Sequence, residues 1–174
     1  MTRTLYLLRH AKSSWGDAEL ADHERPLSPR GRRAAAALAG EFRASGVSPE
    51  LVVCSTALRT RQTLADVAPG FAASPATRFD PAIYGAGLET LVAALREIDD
   101  DTGSVLLLGH NPGVQDLALF LIGEDRRPPA RALAAGYPTA GLAVIDLPDG
   151  AWSGLGPGCG RLVRFRTGRG PAWR

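Results

Sequence analysis

Two short apolar runs, each ending in a histidine, restrict this chain more than any other feature. Leu5-Tyr6-Leu7-Leu8 leads into Arg9-His10, and Val105-Leu106-Leu107-Leu108 leads into Gly109-His110. Four consecutive apolar residues without polar alternation suit a strand covered on both faces, and they are too few for a buried helix. Such a strand delivers whatever follows it to the edge of the sheet. The chain has three histidines, and two stand at these two ends, with His23 the third.

The intervening segments predict the rest of the architecture. Ala11 to Pro26 is polar and irregular, a loop long enough to face a substrate. Ser28-Pro29 sets an N-cap before a proline at the first helical position, and the helix is predicted to run to about Ala44, with Gly46 as its stop. Leu51 to Cys54 is a second buried strand. Ser55 and Thr56 are expected to cap a helix from Leu58 to Val67, closed by Pro69-Gly70. Thr77 to Phe79 reads as a short edge strand. Leu88, Leu91, Val92, Leu95 and Ile98 recur at helical spacing. After the strand Val105 to Leu108, Asn111-Pro112 is expected to cap a helix reaching about Ile122. Glu124 to Pro138, charged and proline-bearing, reads as a surface excursion. Gly141 to Leu147 and Leu162 to Phe165 complete the strands, although the tail from Arg161, with five arginines and no acid, is expected to fray. Strands alternating with helices at these lengths argue one α/β domain over residues 1–174, a three-layer sandwich with a mainly parallel central sheet.

Composition excludes several functions. The net charge of +2 is too small to imply a nucleic-acid partner. Lys12 is the one lysine among 20 basic residues, so an isolated arginine is weak evidence of function here. No apolar run approaches the roughly 20 residues that span a bilayer, and the start of the chain carries no signal-peptide core. A cytoplasmic monomer is the expectation. Cys54 and Cys159 fit no zinc spacing and are expected to be reduced.

In an open α/β sheet, ligands bind beyond the carboxyl ends of the strands. Arg9, His10, Arg59 in the first turn of its helix, and His110 are all predicted there. Two guanidinium forks and two imidazoles suit a dianionic phosphoryl group, and the helix start at Asn111 would add N–H donors. Lys12 could add charge. Asp22, His23, Glu24 and Arg25 form a charged loop cluster; Arg25 could rim the site, with a structural ion pair the preferred reading, and Trp15 could line substrate or anchor the loop. A metal is disfavoured, because Arg9 and Arg59 would repel a cation. A cysteine phosphatase needs five residues between Cys and Arg; Cys54 to Arg59 leaves four and Cys54 to Arg61 six. There is no P-loop.

Arg9-His10-Ala11-Lys12-Ser13, Leu27-Ser28-Pro29-Arg30-Gly31, Ser55-Thr56-Ala57-Leu58-Arg59 with Gln62-Thr63, and Gly109-His110-Asn111-Pro112 together resemble the histidine phosphatase superfamily, with its phosphoglycerate-mutase-like fold. The compact chain is similar to the SixA-type phosphohistidine phosphatases. The resemblance implies that His10 is the nucleophile and becomes phosphorylated, that Arg9 and Arg59 hold the phosphoryl oxygens, and that His110 donates to the phosphoryl group. It implies no cofactor. The carbonyl after the nucleophile is expected to fix its tautomer.

Two departures from the family pattern bear on substrate. Ala11 replaces the glycine that usually follows the nucleophile. Aligning Tyr84-Gly85 puts Pro81 where a glutamate acid is expected, with Asp80 and Glu89 as weak substitutes. An alkoxide leaving group needs protonation, and losing the acid costs on the order of 10²–10⁴ in rate. An imidazole leaves far more easily. The expectation is therefore a phosphohistidine protein phosphatase. The alternatives are a broad small-molecule phosphomonoesterase of the same fold and a non-catalytic phospho-binding module. The substrate is expected to be a phosphorylated protein or a small phosphate compound.

Overall fold

The computed structural model describes residues 2–16 and 18–167. In chain order its elements are β1 (Arg3–Arg9), α1 (Pro29–Ser45), β2 (Leu51–Ser55), α2 (Leu58–Val67), β3 (Ala76–Asp80), α3 (Leu88–Arg96), β4 (Ser104–Gly109), α4 (Gly113–Ile122), α5 (Pro128–Ala135), β5 (Leu142–Leu147) and β6 (Arg161–Arg166). They form one six-stranded sheet in the order β3-β2-β4-β1-β5-β6. The first four strands in that order run parallel, whereas β5 is antiparallel to β1 and β6 to β5.

The apolar runs explain the layering. Along β1, Leu5 and Leu7 point into one core and Leu8 into the other; along β4, Val105 and Leu107 share the first core and Leu106 and Leu108 the second. The first core is closed by residues of α3, α4 and α5, the second by residues of α1 and α2. Both faces of the central strands are therefore dry, which is why the strands show no polar alternation. Because β1 and β4 pair in parallel from Thr4↔Ser104 to Arg9↔Gly109, their next residues, His10 and His110, emerge side by side.

Helix α1 forms as its sequence dictates. Ser28 accepts a hydrogen bond from the Gly31 amide, Pro29 opens the first turn, and Gly46 closes the helix in the left-handed region at φ 68°. Gly31 has a second role: a Cβ there would stand 2.1 Å from the Lys12 carbonyl, so only glycine lets the helix start seat against the loop after His10.

Three expectations are corrected. The Glu124 to Pro138 excursion contains α5, whose paired prolines start the helix instead of preventing it and whose Ala130 and Leu133 are buried. Ser55 and Thr56 do not cap α2; the N-cap is Ala57, without a side-chain bond. Asn111 does not cap α4, which begins at Gly113 with Pro112 as N-cap. The strand expected at Leu162–Phe165 is present as β6, paired with β5, and the fraying expected at the end of the tail falls on residues 168–174, outside the described residues. Cys54 is fully buried, and burial pushes its thiol up to about 12, so it is not a nucleophile at neutral pH. Among the described residues, no helix is long and apolar enough to cross a membrane.

Candidate active site

His10 is held by its backbone on two sides. Its amide donates to the Gly109 carbonyl at 3.1 Å, and its carbonyl accepts from the Ala140 amide at 3.1 Å. The ring is 8% exposed. Its Nδ1 lies 2.7 Å from the Ala11 carbonyl oxygen. A carbonyl only accepts, so Nδ1 carries the proton and Nε2 the free lone pair. Burial, with Arg59, Arg9 and Arg25 adding to it against the opposing Ala11 bond, pushes the imidazole down to about 4. The ring is therefore neutral at pH 7, in the tautomer a nucleophile needs. Ala11 takes the place of glycine without loss: it is fully buried, and its amide donates to Thr63 Oγ1 at 3.0 Å. The Thr63 hydroxyl in turn donates to the Arg59 carbonyl at 2.6 Å.

Arg59, in the first turn of α2, is 7% exposed, and both of its Nη atoms are hydrogen-bonded. Its Nη1 donates to the Asp22 carbonyl at 2.6 Å and its Nη2 to Asp22 Oδ2 at 3.0 Å. Nη2 also lies 3.3 Å from His110 Nδ1. A guanidinium has no acceptor, so His110 Nδ1 accepts, and Nε2–H donates to Ser55 Oγ at 2.7 Å. His110 is pushed down to about 3, first by burial and then by His10 and Arg59. The two imidazole rings are 5.2 Å apart. Arg9 donates from Nη1 to the Tyr137 carbonyl at 2.6 Å, leaving its Nε buried and without a partner.

A cleft of about 310 Å³ opens here, lined by Arg9, His10, Lys12, Ser13, Trp15, Asp22, Arg25, Arg59 and Thr139. The structure thus brings Arg9, His10, Arg59 and the exposed Lys12 to one cleft; His110 is not among its lining residues, although its ring is next to that of His10 and its Nδ1 is next to Arg59 Nη2. It does not bring Asn111 to the cleft: its Nδ2 donates to Gln115 Oε1 at 3.0 Å, and its Oδ1 is buried and unpartnered. Asp80 is occupied in accepting from the Ala82 amide at 2.9 Å, and Glu89 lies in the first turn of α3, so neither lines the cleft. The carboxylate that does is Asp22. Tyr84 donates to its Oδ2 at 2.7 Å, and the ion pair with Arg25 spans 2.8 Å. The Tyr84 bond above all, with Arg59 and Arg25 adding to it against burial, holds Asp22 down at about 2.

Two site residues were missed by sequence reasoning in their actual roles. Ser55, read as a helix cap, is fully buried beneath His110. Asp22, read as half of a loop ion pair, also reaches Arg59. The clue to Ser55 was its place at a strand end level with His10 and His110. The reach of Asp22 to Arg59 carried no signal, because Arg59 lies 37 residues away.

Two neutral imidazoles and two guanidiniums gathered beyond the ends of parallel strands have the chemistry to hold a phosphoryl anion. Residues 5–81 match the histidine phosphatase superfamily, branch 1. The chain belongs to this superfamily and is a phosphatase. An uncharacterised protein of Mycobacterium tuberculosis is 38% identical over 164 residues, spanning 93% of this chain and 100% of its own. Two solved structures are similar throughout. One, from Nakamurella multipartitia, is described as a candidate phosphohistidine phosphatase SixA; it is 30% identical, with a TM-score of 0.83 over 96% of each chain. The other, from Agrobacterium tumefaciens and described in the same terms, is 32% identical, with a TM-score of 0.81 over 95% of this chain and 97% of its own.

Proposed function

We propose that this phosphatase works through phosphorylated His10 and acts on phosphohistidine in proteins. The observation that carries the mechanism is the Nδ1 bond to the Ala11 carbonyl, which leaves a neutral Nε2 beside two guanidiniums. In the first step Nε2 attacks phosphorus, a P–Nε2 bond forms, and the bond to the leaving group breaks. Arg9 and Arg59 neutralise the phosphoryl oxygens. In the second step water attacks phosphorus, the P–Nε2 bond returns its electron pair to His10, and phosphate departs. Fixed charges at a water-poor site supply most of the stabilisation in such chemistry.

His110 donates to the phosphoryl group only if Nδ1 carries the proton. Ser55 permits that. Its hydroxyl accepts from Nε2–H in the resting site and can donate to Nε2 once the proton has moved to Nδ1. The same rotation suits both tautomers without moving the ring.

The leaving group follows from the acids available. Proline occupies position 81, and the cleft carboxylate Asp22 is held ionised at about 2. A group with that pKa delivers no proton at pH 7. The imidazole of phosphohistidine tolerates this, because its other ring nitrogen takes a proton from water before the P–N bond breaks and the ring leaves neutral; an alkoxide has no such second site. The similarity to structures described as SixA supports the same reading. The test is a substrate panel. A phosphohistidine peptide should be cleaved with kcat/KM at least about 10²-fold above sugar phosphates. The opposite order would make the chain a phosphomonoesterase. Labelled phosphate trapped on His10 separates either enzyme from a mere binding module.

A further inference from the structure

Trp15 is 78% exposed at the mouth of the cleft. A single exposed aromatic residue needs no explanation, but its mounting does. The Arg25 guanidinium carbon lies 3.2 Å from the centre of the indole, against one face. Arg25 is itself only 6% exposed and is fixed at three points: Nε donates to the Ser14 carbonyl at 3.0 Å, Nη1 to Asp22 Oδ1 at 2.8 Å, and Nη2 to Ser13 Oγ at 2.7 Å. These bonds already secure the loop, so Trp15 is not needed as its anchor. An anchor would also be buried, whereas most of this indole stays in solvent.

The arrangement is a rigid aromatic surface, backed on one face, open on the rest, and lining the cleft that contains His10. We propose that Trp15 is the leaving-group platform of this enzyme, stacking a flat aromatic ring as it departs from the phosphoryl group. The proposal rests on the reading of the cleft as a phosphoryl-transfer site centred on His10. It adds a reason for selectivity that the phosphoryl pocket lacks, because Arg9 and Arg59 recognise only oxygens common to every phosphate. Indole rings stack offset or edge-on with other rings. The guanidinium beneath draws on the electron-rich face that would otherwise attract cations, so the open face suits a neutral ring. The imidazole of phosphohistidine and the ring of an aryl phosphate share that chemistry. The other large aromatics nearby are not equivalent. Tyr84 is committed to Asp22 and packs edge-on against His110 at 5.5 Å, and Phe79 stands on the edge strand β3 outside the cleft lining.

The test compares leaving groups of one phosphoryl donor class. Purified wild type, Trp15→Ala and Trp15→Phe are assayed on a phosphohistidine peptide, on phosphoramidate, whose leaving group is ammonia, and on p-nitrophenyl phosphate. The readout is the ratio of kcat/KM for each ring substrate to that for phosphoramidate. Trp15→Ala should lower both ratios about tenfold, the value of a good aromatic pair, and Trp15→Phe should restore most of it. Ratios within twofold of wild type would overturn the platform, whether overall activity falls, as when the loop and Arg25 are merely disturbed, or does not. The phosphohistidine reading fails separately, when wild type itself prefers the aryl ester to the phosphohistidine peptide; the platform then stands if Trp15→Ala lowers the aryl ratio.

Discussion

The two strand ends that present His10 and His110 begin alike and finish differently. Each imidazole follows a buried apolar strand, each is under a tenth exposed, and each is held neutral by burial. What differs is the atom facing the second ring nitrogen. His10 Nδ1 meets a carbonyl, which can only accept, so one tautomer is locked and Nε2 always carries the lone pair. His110 Nε2 meets the Ser55 hydroxyl, which accepts or donates, so either tautomer is satisfied. One sheet edge therefore holds a histidine with a fixed lone pair beside a histidine free to change its proton. A nucleophile needs the first property. A group that accepts from Arg59 at rest and donates to a phosphoryl oxygen in the reaction needs the second.

Replacing the locked imidazole gives the largest effect. His10→Ala should lower turnover by at least about 10⁴-fold and abolish acid-labile label on the protein, as removal of other nucleophiles does. Vanadate binding, measured by calorimetry, should survive, because Arg9 and Arg59 remain. Turnover near wild type would end the comparison, since His10 would then be no more than a second His110. Ser55→Ala tests the switchable side. It leaves His110 Nε2–H buried without a partner, which costs about 1–3 kcal/mol in stability. It also removes the donor that stabilises the other tautomer, so kcat should fall roughly tenfold while labelling of His10 is retained. Loss of labelling would place Ser55 on the nucleophile's side of the comparison.

The difference between the two histidines was only half legible in the sequence. Residue type and strand context located Arg9, His10, Arg59 and His110, because apolar runs this short have one way to be buried on both faces. The lock on His10 was anticipated through the family resemblance, and its acceptor is the next residue. The partner of His110 was not. Ser55 lies 55 residues away, and a serine just before a helix looks like a cap until β2 and β4 pair in register and carry it under the imidazole. Arg9 shows the same limit: its acceptor at Tyr137 is 128 residues distant, in a segment read as a surface excursion. The prolines at 128 and 129 masked α5 because they signal a break and a first helical turn with equal force. Local chemistry was readable wherever the partner was local, and tertiary pairing decided the rest.

Neutral burial of both rings makes stability depend on pH. Each imidazole has its pKa depressed on folding, from about 6.5 to about 4 for His10 and about 3 for His110. Between those values and 6.5 the unfolded chain binds more protons than the folded one. The stabilisation is thus complete above pH 6.5 and is lost as pH falls through 4 and then 3. The urea midpoint should be level from pH 8 to 7 and decline steadily from 6.5 to 4. In His10→Gln the decline should be shallower over that interval. A midpoint unchanged from pH 7 to 4.5 would mean that the rings are not held neutral, and the tautomer argument would go with it.

The smallest effect concerns the carboxylate that touches one side of the pair only. Arg59 Nη2 is shared between Asp22 Oδ2 and His110 Nδ1, and Arg59 Nη1 is taken by the Asp22 carbonyl. A phosphoryl oxygen that takes up these N–H groups must displace Asp22, so Asp22 competes with the substrate anion. Its side chain is half exposed, and the competition is correspondingly screened. Asp22→Asn removes the charge and keeps one acceptor oxygen, which can still accept from Arg25, while its amide N–H faces Tyr84, whose hydroxyl can accept. Phosphate and vanadate should then bind about two- to fivefold more tightly, and His10 should be labelled at its former rate, because His10 does not touch Asp22. Weaker anion binding would mean that Asp22 organises Arg59 more than it blocks it; the comparison would then gain a term, with Asp22 holding the guanidinium as Ser55 holds His110.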